Sequence, residues 1–599
     1  MLQAKIFAGW PAGTDGYHLT VREDNLEARQ TLRRIASRKT VAIVISAHFL
    51  LLCSTARLSQ CRAEATARLR ETGNKGMVFR FTAQRHMRLA VTLLALCGAA
   101  GARAQDAPAA SPQQQPAATP SPSPSGQRGG AGRSSGAATP AAEPHRLPPD
   151  STTKQTLALP GRTLNFTATA GSIRLFDEKG EPQADIAYTS YQLDGTDHAT
   201  RPVTFLFNGG PGASSAWLQF GAAGPWRLSI GGDGAISSAT PEVSPNAETW
   251  LDFTDLVFID PVGTGFSRFV ASGEDVRKRF LSVDGDVSSI ALVIRRWLEK
   301  YDRLLSPKFV TGESYGGIRG PKIVRNLQTQ QGVGVRGLIL VSPLLDFRDF
   351  SGSSLLQYVY TLPSMAAVAR EAKGGMTRAD LADVERYAQT EFLADLMKGQ
   401  ADKEATTRLA DKVAALTGID QAVSRRLAGR FDVSEFRREF DRRSGRIIGR
   451  YDATVSGIDP YPDSSDVHFG DPSGDSLMAP LTSAAVDVTT RKLNWRPDGS
   501  YQLLSESVNR SWDFGRGPAQ SVSQLRQILA LDPKMKLLVG HGMFDLATPY
   551  FASKVLLDQL PAFAGAPRVK LVVYPGGHMF YSRDGARQAF RSEVEALVK

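Results

Sequence analysis

The pentapeptide Gly312-Glu313-Ser314-Tyr315-Gly316 is the part of this chain best suited to covalent chemistry. It follows the apolar run KFVT and precedes a segment of helical character, Pro321 to Gln328. Gly-x-Ser-x-Gly between a strand and a helix predicts a nucleophile elbow, a tight turn that holds a serine in strained backbone angles with Oγ clear of the sheet. The glycines two places either side are expected to let strand and helix approach closely. A serine hydroxyl is a poor nucleophile without a base, and the base needs an orienting carboxylate. Three histidines follow Ser314: His468, His541 and His578. When the elbow serine comes first, the acid comes next and the base last. Asp545, ending GHGMFD, and His578, ending KLVVYPGGH, meet that order at the tips of consecutive apolar runs. His541 precedes its own acid and is expected to pack its loop or face substrate. His468 falls in a helical insertion.

A developing oxyanion needs N–H donors already aimed at it. The backbone N–H of Tyr315 supplies one, and the loop Asn208-Gly209-Gly210-Pro211-Gly212 after an early apolar run is suited to supply the second. Gly263-x-Gly265 lacks the Lys-Ser/Thr of a phosphate-binding loop and the spacing of a dinucleotide fingerprint, so it is expected to be a turn at a sheet edge. No His-Glu-x-x-His motif occurs, and no metal or cofactor is expected.

These residues must be held by elements, and the chain supplies a repeating set. Short apolar runs end in glycine-rich or charged loops: VTFLFNGGPG, LVFIDPVGTGFS, KFVTGESYGG, GLILVSPLLD, KLLVGHGMFD and KLVVYPGGH. Helical stretches separate several of them, as in SVDGDVSSIALVIRRWLEKY, where Ile290, Val293, Ile294 and Trp297 recur at helical spacing. Alternation of this kind predicts an α/β fold with a mostly parallel central sheet covered by helices on both faces. Functional residues then gather at the carboxyl ends of the strands. Two hairpin-like segments, LNFTATAGSIRLFD and DIAYTSYQLDG, open the domain, which is expected to run over 151–599. From about 350 to 500 the strand signals stop, and a helical cap over the active-site face is expected.

The chain has 599 residues and a formal net charge of +11. Residues 1–104 hold 16 Lys/Arg against 6 Asp/Glu, and the remainder 55 against 54. The globular part is therefore nearly neutral, and its charge predicts neither a nucleic-acid partner nor stable membrane insertion. All three cysteines, Cys53, Cys61 and Cys97, lie in the basic stretch. Within it, 77–104 has the pattern of a signal peptide: Arg80, Arg85 and Arg88, the run LAVTLLALCGAA, then Ala102-Arg103-Ala104 as cleavage site. The mature chain is expected to start at Gln105, without cysteine, in the periplasm or outside the cell. A lipoprotein through Cys97 is disfavoured by Leu96, and residues 1–76 are expected to be a non-functional upstream extension. Residues 105–150, rich in Ala, Pro, Ser, Gln and Gly, are expected to form a disordered linker.

Taken together and in order, NGGPGASS (Asn208 to Ser215), DPVGTGFS (Asp260 to Ser267), GESYGG (Gly312 to Gly317), the Asp545 loop and Gly577-His578-Met579 resemble the serine carboxypeptidase family of α/β-hydrolases, as a secreted bacterial member. The resemblance implies removal of single residues from peptide C-termini at acidic pH. It makes Ser314 the nucleophile, His578 the base, Asp545 its orienter, and Gly210 and Tyr315 the oxyanion N–H donors. It assigns Asn208 and Glu313 to the substrate's terminal carboxylate. Two departures stand out: Ala213 occupies a position where the family often has cysteine, and Phe220 to Pro225 lacks a second carboxylate-binding glutamate. Strict carboxypeptidase specificity and a strongly acidic optimum are thereby in question. Peptides are the expected partners. A serine esterase, acyltransferase or aminopeptidase on the same fold is the alternative chemistry, and a binding module without catalysis the alternative class.

Overall fold

The computed structural model describes residues 146–599 apart from 230–241, 351, 353, 465–469 and 564–566, together with a short antiparallel pair, Thr66–Leu69 against Met77–Arg80. The rest of the expected extension and leader, the linker up to residue 145, the three cysteines and His468 lie outside the described residues. The folded part begins earlier than the expected boundary at Ser151. Leu147 is buried, and the Asp150 carboxylate accepts hydrogen bonds from Tyr188 Oη and Lys300 Nζ, each at 2.5 Å. One buried leucine and one paired carboxylate suffice to fix the chain where composition alone still reads as linker.

Ten strands make one sheet: β1 (Ser151–Leu159), β2 (Arg162–Phe176), β3 (Pro182–Leu193), β4 (Val203–Phe207), β5 (Asp255–Ile259), β6 (Arg268–Phe269), β7 (Lys308–Glu313), β8 (Gly337–Val341), β9 (Lys536–Gly542) and β10 (Val569–Tyr574). Their order is β10-β9-β8-β7-β4-β5-β3-β2-β1, with β6 antiparallel beside β3. Neighbours from β10 to β5 are parallel, and β5–β3, β3–β2 and β2–β1 are antiparallel. This is the α/β-hydrolase fold.

Its longer helices are α1 (Val283–Lys300), α2 (Gly316–Thr329), α3 (Leu356–Glu371), α4 (Lys403–Thr417), α5 (Asp475–Asp487), α6 (Val522–Leu531), α7 (Tyr550–Asp558) and α8 (Asp584–Val598). On one sheet face, Ile290, Ile294 and Trp297 of α1 join Ile323 of α2 and Ile528 of α6 against Phe205, Phe207, Leu338 and Leu340. On the other, Leu481 of α5 and Phe590 and Val594 of α8 join Leu206, Ile339 and Val341. Alternate residues of VTFLF and GLILV thus meet opposite layers, and both layers are apolar. That is why these strands read as unbroken hydrophobic runs.

Helix α2 starts at once after the elbow, at Gly316, and not at Pro321. Pro321 lies inside it and has no N–H for the carbonyl four residues back. That carbonyl, of Gly317, accepts instead from Ser521 Oγ at 2.7 Å. Between β8 and β9 the chain forms α3, α4, several shorter helices, a hairpin of Arg446–Ile448 with Ser456–Ile458, and α5. The hairpin departs from the helical expectation, because strands of three residues are too short to show a two-residue period. Helices α3 and α4 share a core with α7, through Val359, Met365, Leu409, Val413, Tyr550 and Phe551.

Candidate active site

The parallel strands β7, β8, β9 and β10 end at one edge of the sheet, and the predicted triad residues follow three of them. Ser314 sits immediately after β7 with φ of +60°, a left-handed conformation that costs a non-glycine residue roughly 1 kcal/mol. Three backbone bonds hold it: its N–H donates to Val341 O (3.0 Å), and its carbonyl accepts from the N–H groups of Gly317 (2.8 Å) and Leu344 (2.9 Å). Gly312 is needed as expected, since a Cβ there would lie 2.6 Å from Gly316 O. Gly316 is not, because a Cβ would meet nothing closer than 3.7 Å. The crowded position is Gly317, where a Cβ would fall 2.4 Å from Leu344 O. The loop after β8, and not the packing of helix on strand, sets this constraint.

Asp545 and His578 follow β9 and β10 and are bonded directly, His578 Nδ1 to Asp545 Oδ2 at 2.7 Å. Asp545 is fully buried, and its Oδ1 accepts from the N–H groups of Ala547 (2.7 Å) and Thr548 (2.9 Å). Burial pushes its carboxyl up, but the His578 ring and the Thr548 bonds outweigh that and hold it below the usual carboxylate range. Burial likewise works against a charged His578, but Asp545, with Glu313 behind it, raises the ring above the ordinary histidine value. Two further residues, neither of them a candidate from the sequence, carry this arrangement. Thr548 Oγ1 lies 2.7 Å from Asp545 Oδ2, 2.9 Å from Ser342 O and 3.0 Å from His578 Nδ1. Ser342, itself at φ +42°, donates from Oγ to His578 O at 2.6 Å. A threonine three residues after an aspartate is a common local capping pattern, so Thr548 had a weak signal. Ser342 had none.

The link between Ser314 and His578 runs through β8. Val341 O takes the Ser314 N–H, and the next residue, Ser342, holds the His578 carbonyl. The Ser314 hydroxyl makes no hydrogen bond to a described residue. It is also the one partly exposed member of the set, since Asp545, His578, Glu313 and Asn208 are all buried. Of the three histidines after Ser314, His541 is fully buried and shares a 2.8 Å hydrogen bond between Nε2 and Ser553 Oγ. Burial drives its pKa down to about 3, so it stays neutral and packs its loop; it does not face substrate.

On the oxyanion side, Gly209 presses against the elbow: a Cβ there would lie 2.4 Å from Tyr315 N. Gly210 follows at φ +97°. Neither the Gly210 nor the Tyr315 N–H donates to a group among the described residues, which leaves two adjacent donors unspent. The loop is fixed from behind by Arg319, whose guanidinium pairs with Asp286 (Nε to Oδ2 2.6 Å), bonds Asn208 O and lies over the Phe207 and Tyr315 rings.

Glu313 is buried beside Ser314 and has no cationic partner in its hydrogen bonding. Both of its oxygens face the Tyr581 hydroxyl, at 3.1 and 2.9 Å. Burial raises its pKa to about 7, against the opposing pull of the His578 ring, Tyr581 and Asn208. Asn208 spends its Oδ1 on the Leu218 N–H at 3.1 Å, which leaves its amino end as donor. Trp226 is part of the core: it packs on Phe166 and Tyr191. Among the described residues no group of three or more His, Cys, Asp or Glu is placed to hold a metal ion. The constellation fits acyl transfer through a serine ester, with an acid able to stay protonated beside it.

Comparison with known proteins finds similarity over part of the chain. A family model described as serine carboxypeptidase matches residues 160–415, which contain the Asn208 loop and the elbow but stop before Asp545 and His578. Serine carboxypeptidase-like 33 of Arabidopsis thaliana is 28% identical over 177 residues, which is 27% of this chain and 34% of that protein. The pheromone-processing carboxypeptidase of Saccharomyces cerevisiae is 30% identical over 161 residues, 25% of this chain and 20% of that protein. The chain thus spans about a third of the length of the Arabidopsis relative it matches and less of the yeast one. Among solved structures, a prohormone-processing carboxypeptidase from Saccharomyces cerevisiae superposes with a TM-score of 0.48 at 15% identity, covering 72% of this chain and 91% of that one.

Proposed function

We propose, from the match of residues 160–415 to a family model described as serine carboxypeptidase, that the chain is a serine-type carboxypeptidase that removes C-terminal residues from peptides. Ser314 Oγ attacks the carbonyl carbon of the last peptide bond as His578 Nε2 takes its proton. Asp545 keeps the ring in the tautomer that presents Nε2 and stabilises the imidazolium. The N–H groups of Gly210 and Tyr315 receive the oxyanion. His578 returns the proton to the departing amine, the C–N bond breaks, and water then hydrolyses the acyl-enzyme by the same steps in reverse.

The observation that carries this reading is Glu313, a buried carboxyl one residue before the nucleophile with its pKa raised to about 7. A carboxyl group can hold another carboxylate only by sharing a proton, because two such charges ~3 Å apart cannot both ionise. Protonated Glu313, with the Asn208 amide, is therefore suited to a peptide's free C-terminus. The test compares a blocked dipeptide with a free C-terminus and its C-terminal amide, using wild type and Glu313→Gln. A clear preference for the free acid, lost in the variant, is expected. Equal rates on both substrates in the wild type would move the site to esterase, acyltransferase or aminopeptidase chemistry. Failure of a fluorophosphonate to label Ser314 would remove catalysis altogether.

The Met77 to Ala104 pattern supports an exported enzyme whose mature chain starts at Gln105. N-terminal sequencing of protein recovered from the periplasm or medium checks it.

A further inference from the structure

The segment Phe220 to Pro225 has no acid to share a proton with Glu313, yet Glu313 is not left alone. Tyr581, three residues past His578, brings its hydroxyl within 3.1 Å of both carboxyl oxygens. Its ring takes space that exists only because residue 221 is glycine: a Cβ on Gly221 would lie 2.5 Å from Tyr581 Cε2. The ring is buried and stands edge-on to Phe580, at 5.9 Å between centroids. The backbone behind it is tied down by Arg587, which donates to Tyr581 O at 3.0 Å. Tyrosine and glycine thus form a matched pair, on the acid-free segment and against Glu313.

We propose that Tyr581 is the positioning residue of the carboxylate-binding subsite: its hydroxyl donates to Glu313 from the protein side, so that the Glu313 proton is presented to the terminal carboxylate of the substrate. The inference rests on the carboxypeptidase reading above. A protonated carboxyl has one O–H and a carbonyl oxygen that accepts. The Tyr581 O–H reaches both Glu313 oxygens; donated to whichever of them is the carbonyl, it leaves the carboxyl's own O–H to the substrate. Its donation also favours the ionised form of Glu313, which keeps the acid from staying protonated at still higher pH. A phenol in this place does without a second acid, and the subsite then holds one titrating carboxyl facing the substrate.

The experiment measures kcat and KM for a blocked dipeptide acid and its amide between pH 4 and 8, in wild type, Tyr581→Phe, Glu313→Gln and the double variant. Tyr581→Phe is expected to raise KM for the acid three- to tenfold at low pH, to leave kcat and the amide reaction within twofold, and to move the high-pH limb of kcat/KM for the acid upward. In the Glu313→Gln background the same substitution is expected to have no such effect. Gly221→Ala keeps the hydroxyl but displaces the ring, and is expected to give the same acid-selective rise in KM. Losses of equal size on acid and amide, or an unmoved high-pH limb in both variants, overturn the role of Tyr581. If instead the wild type shows no preference for the acid, or Glu313→Gln changes nothing, the carboxypeptidase reading itself fails. The two outcomes are distinct. Should Tyr581→Phe not fold, the Gly221→Ala result decides alone.

Discussion

At the scale of residues, two buried groups with opposite requirements set the pH behaviour of the proposed mechanism. Glu313 must be protonated to hold a carboxylate, and its pKa stands near 7. His578 must be neutral to accept the Ser314 proton, and Asp545 holds its pKa above the ordinary value. The two interact, so the limbs of the profile belong to the pair. For free-acid peptides kcat/KM is expected to fall as pH rises past about 7 and also to fall on acidification, giving a bell centred nearer neutrality than the resemblance implies. For an amide substrate only the acid limb remains, since Glu313 has nothing to share. A profile with its optimum below pH 5 would contradict this. Thr548→Val deletes the hydroxyl between Asp545 and Ser342. A hydrogen bond to a charged group contributes about 1.5–3 kcal/mol, so kcat is expected to drop roughly 10- to 100-fold with KM little changed. Of these residues the sequence showed the ones that lie in motifs, Ser314, Glu313, Asp545 and His578. Ser342 and Tyr581 stayed hidden, because they are ordinary residue types whose contacts close over long stretches of chain, as Tyr581 does with Glu313, and Thr548 left only the weak signal of its spacing from Asp545.

At the scale of elements, the elbow is built from three pieces, the end of β7, the start of α2 and the loop after β8. Gly317→Ala drives a Cβ into the carbonyl of Leu344, whereas Gly316→Ala meets only ordinary contacts. The first is expected to destabilise by about 1–3 kcal/mol and to lower activity, and the second to leave both nearly unchanged. Thermal unfolding and turnover of the two variants check it. The reverse sensitivity would mean that helix and strand, and not the β8 loop, crowd the turn. The strand–turn–helix order and the sheet were legible because buried parallel strands leave long apolar runs. The early start of α2 was obscured by Pro321, whose missing N–H is offset by Ser521, a residue from a distant element. The hairpin at 446–458 was too short to leave a period.

At the scale of the whole molecule, buried carboxyls make stability depend on pH, and one of them, Glu313, belongs to the proposed site. Burial pushes Asp260 up to about 7, although the N–H groups of Ser215 and Phe266 partly oppose it, and Glu313 stands at a similar value. Both folded values exceed the ordinary carboxyl range, so the stabilisation is complete below about pH 4 and is lost as pH rises through 7. The apparent Tm is therefore expected to be higher at pH 5 than at pH 8, and Asp260→Asn to reduce the difference. Trp297, fully buried between α1 and the sheet and edge-on to Phe205 at 5.4 Å, tests the core that holds the strand ends in place. Trp297→Ala is expected to cost about 3–5 kcal/mol in denaturant unfolding.

The histidine proposed as base follows β10, the outermost and last-made strand of the sheet, while the serine it serves follows β7 in the middle. During synthesis, and during passage through a secretion channel in the proposed export, the nucleophile is therefore complete long before anything can deprotonate it. The growing polypeptide thus carries an unarmed serine until β10 and the residues after it have joined the sheet.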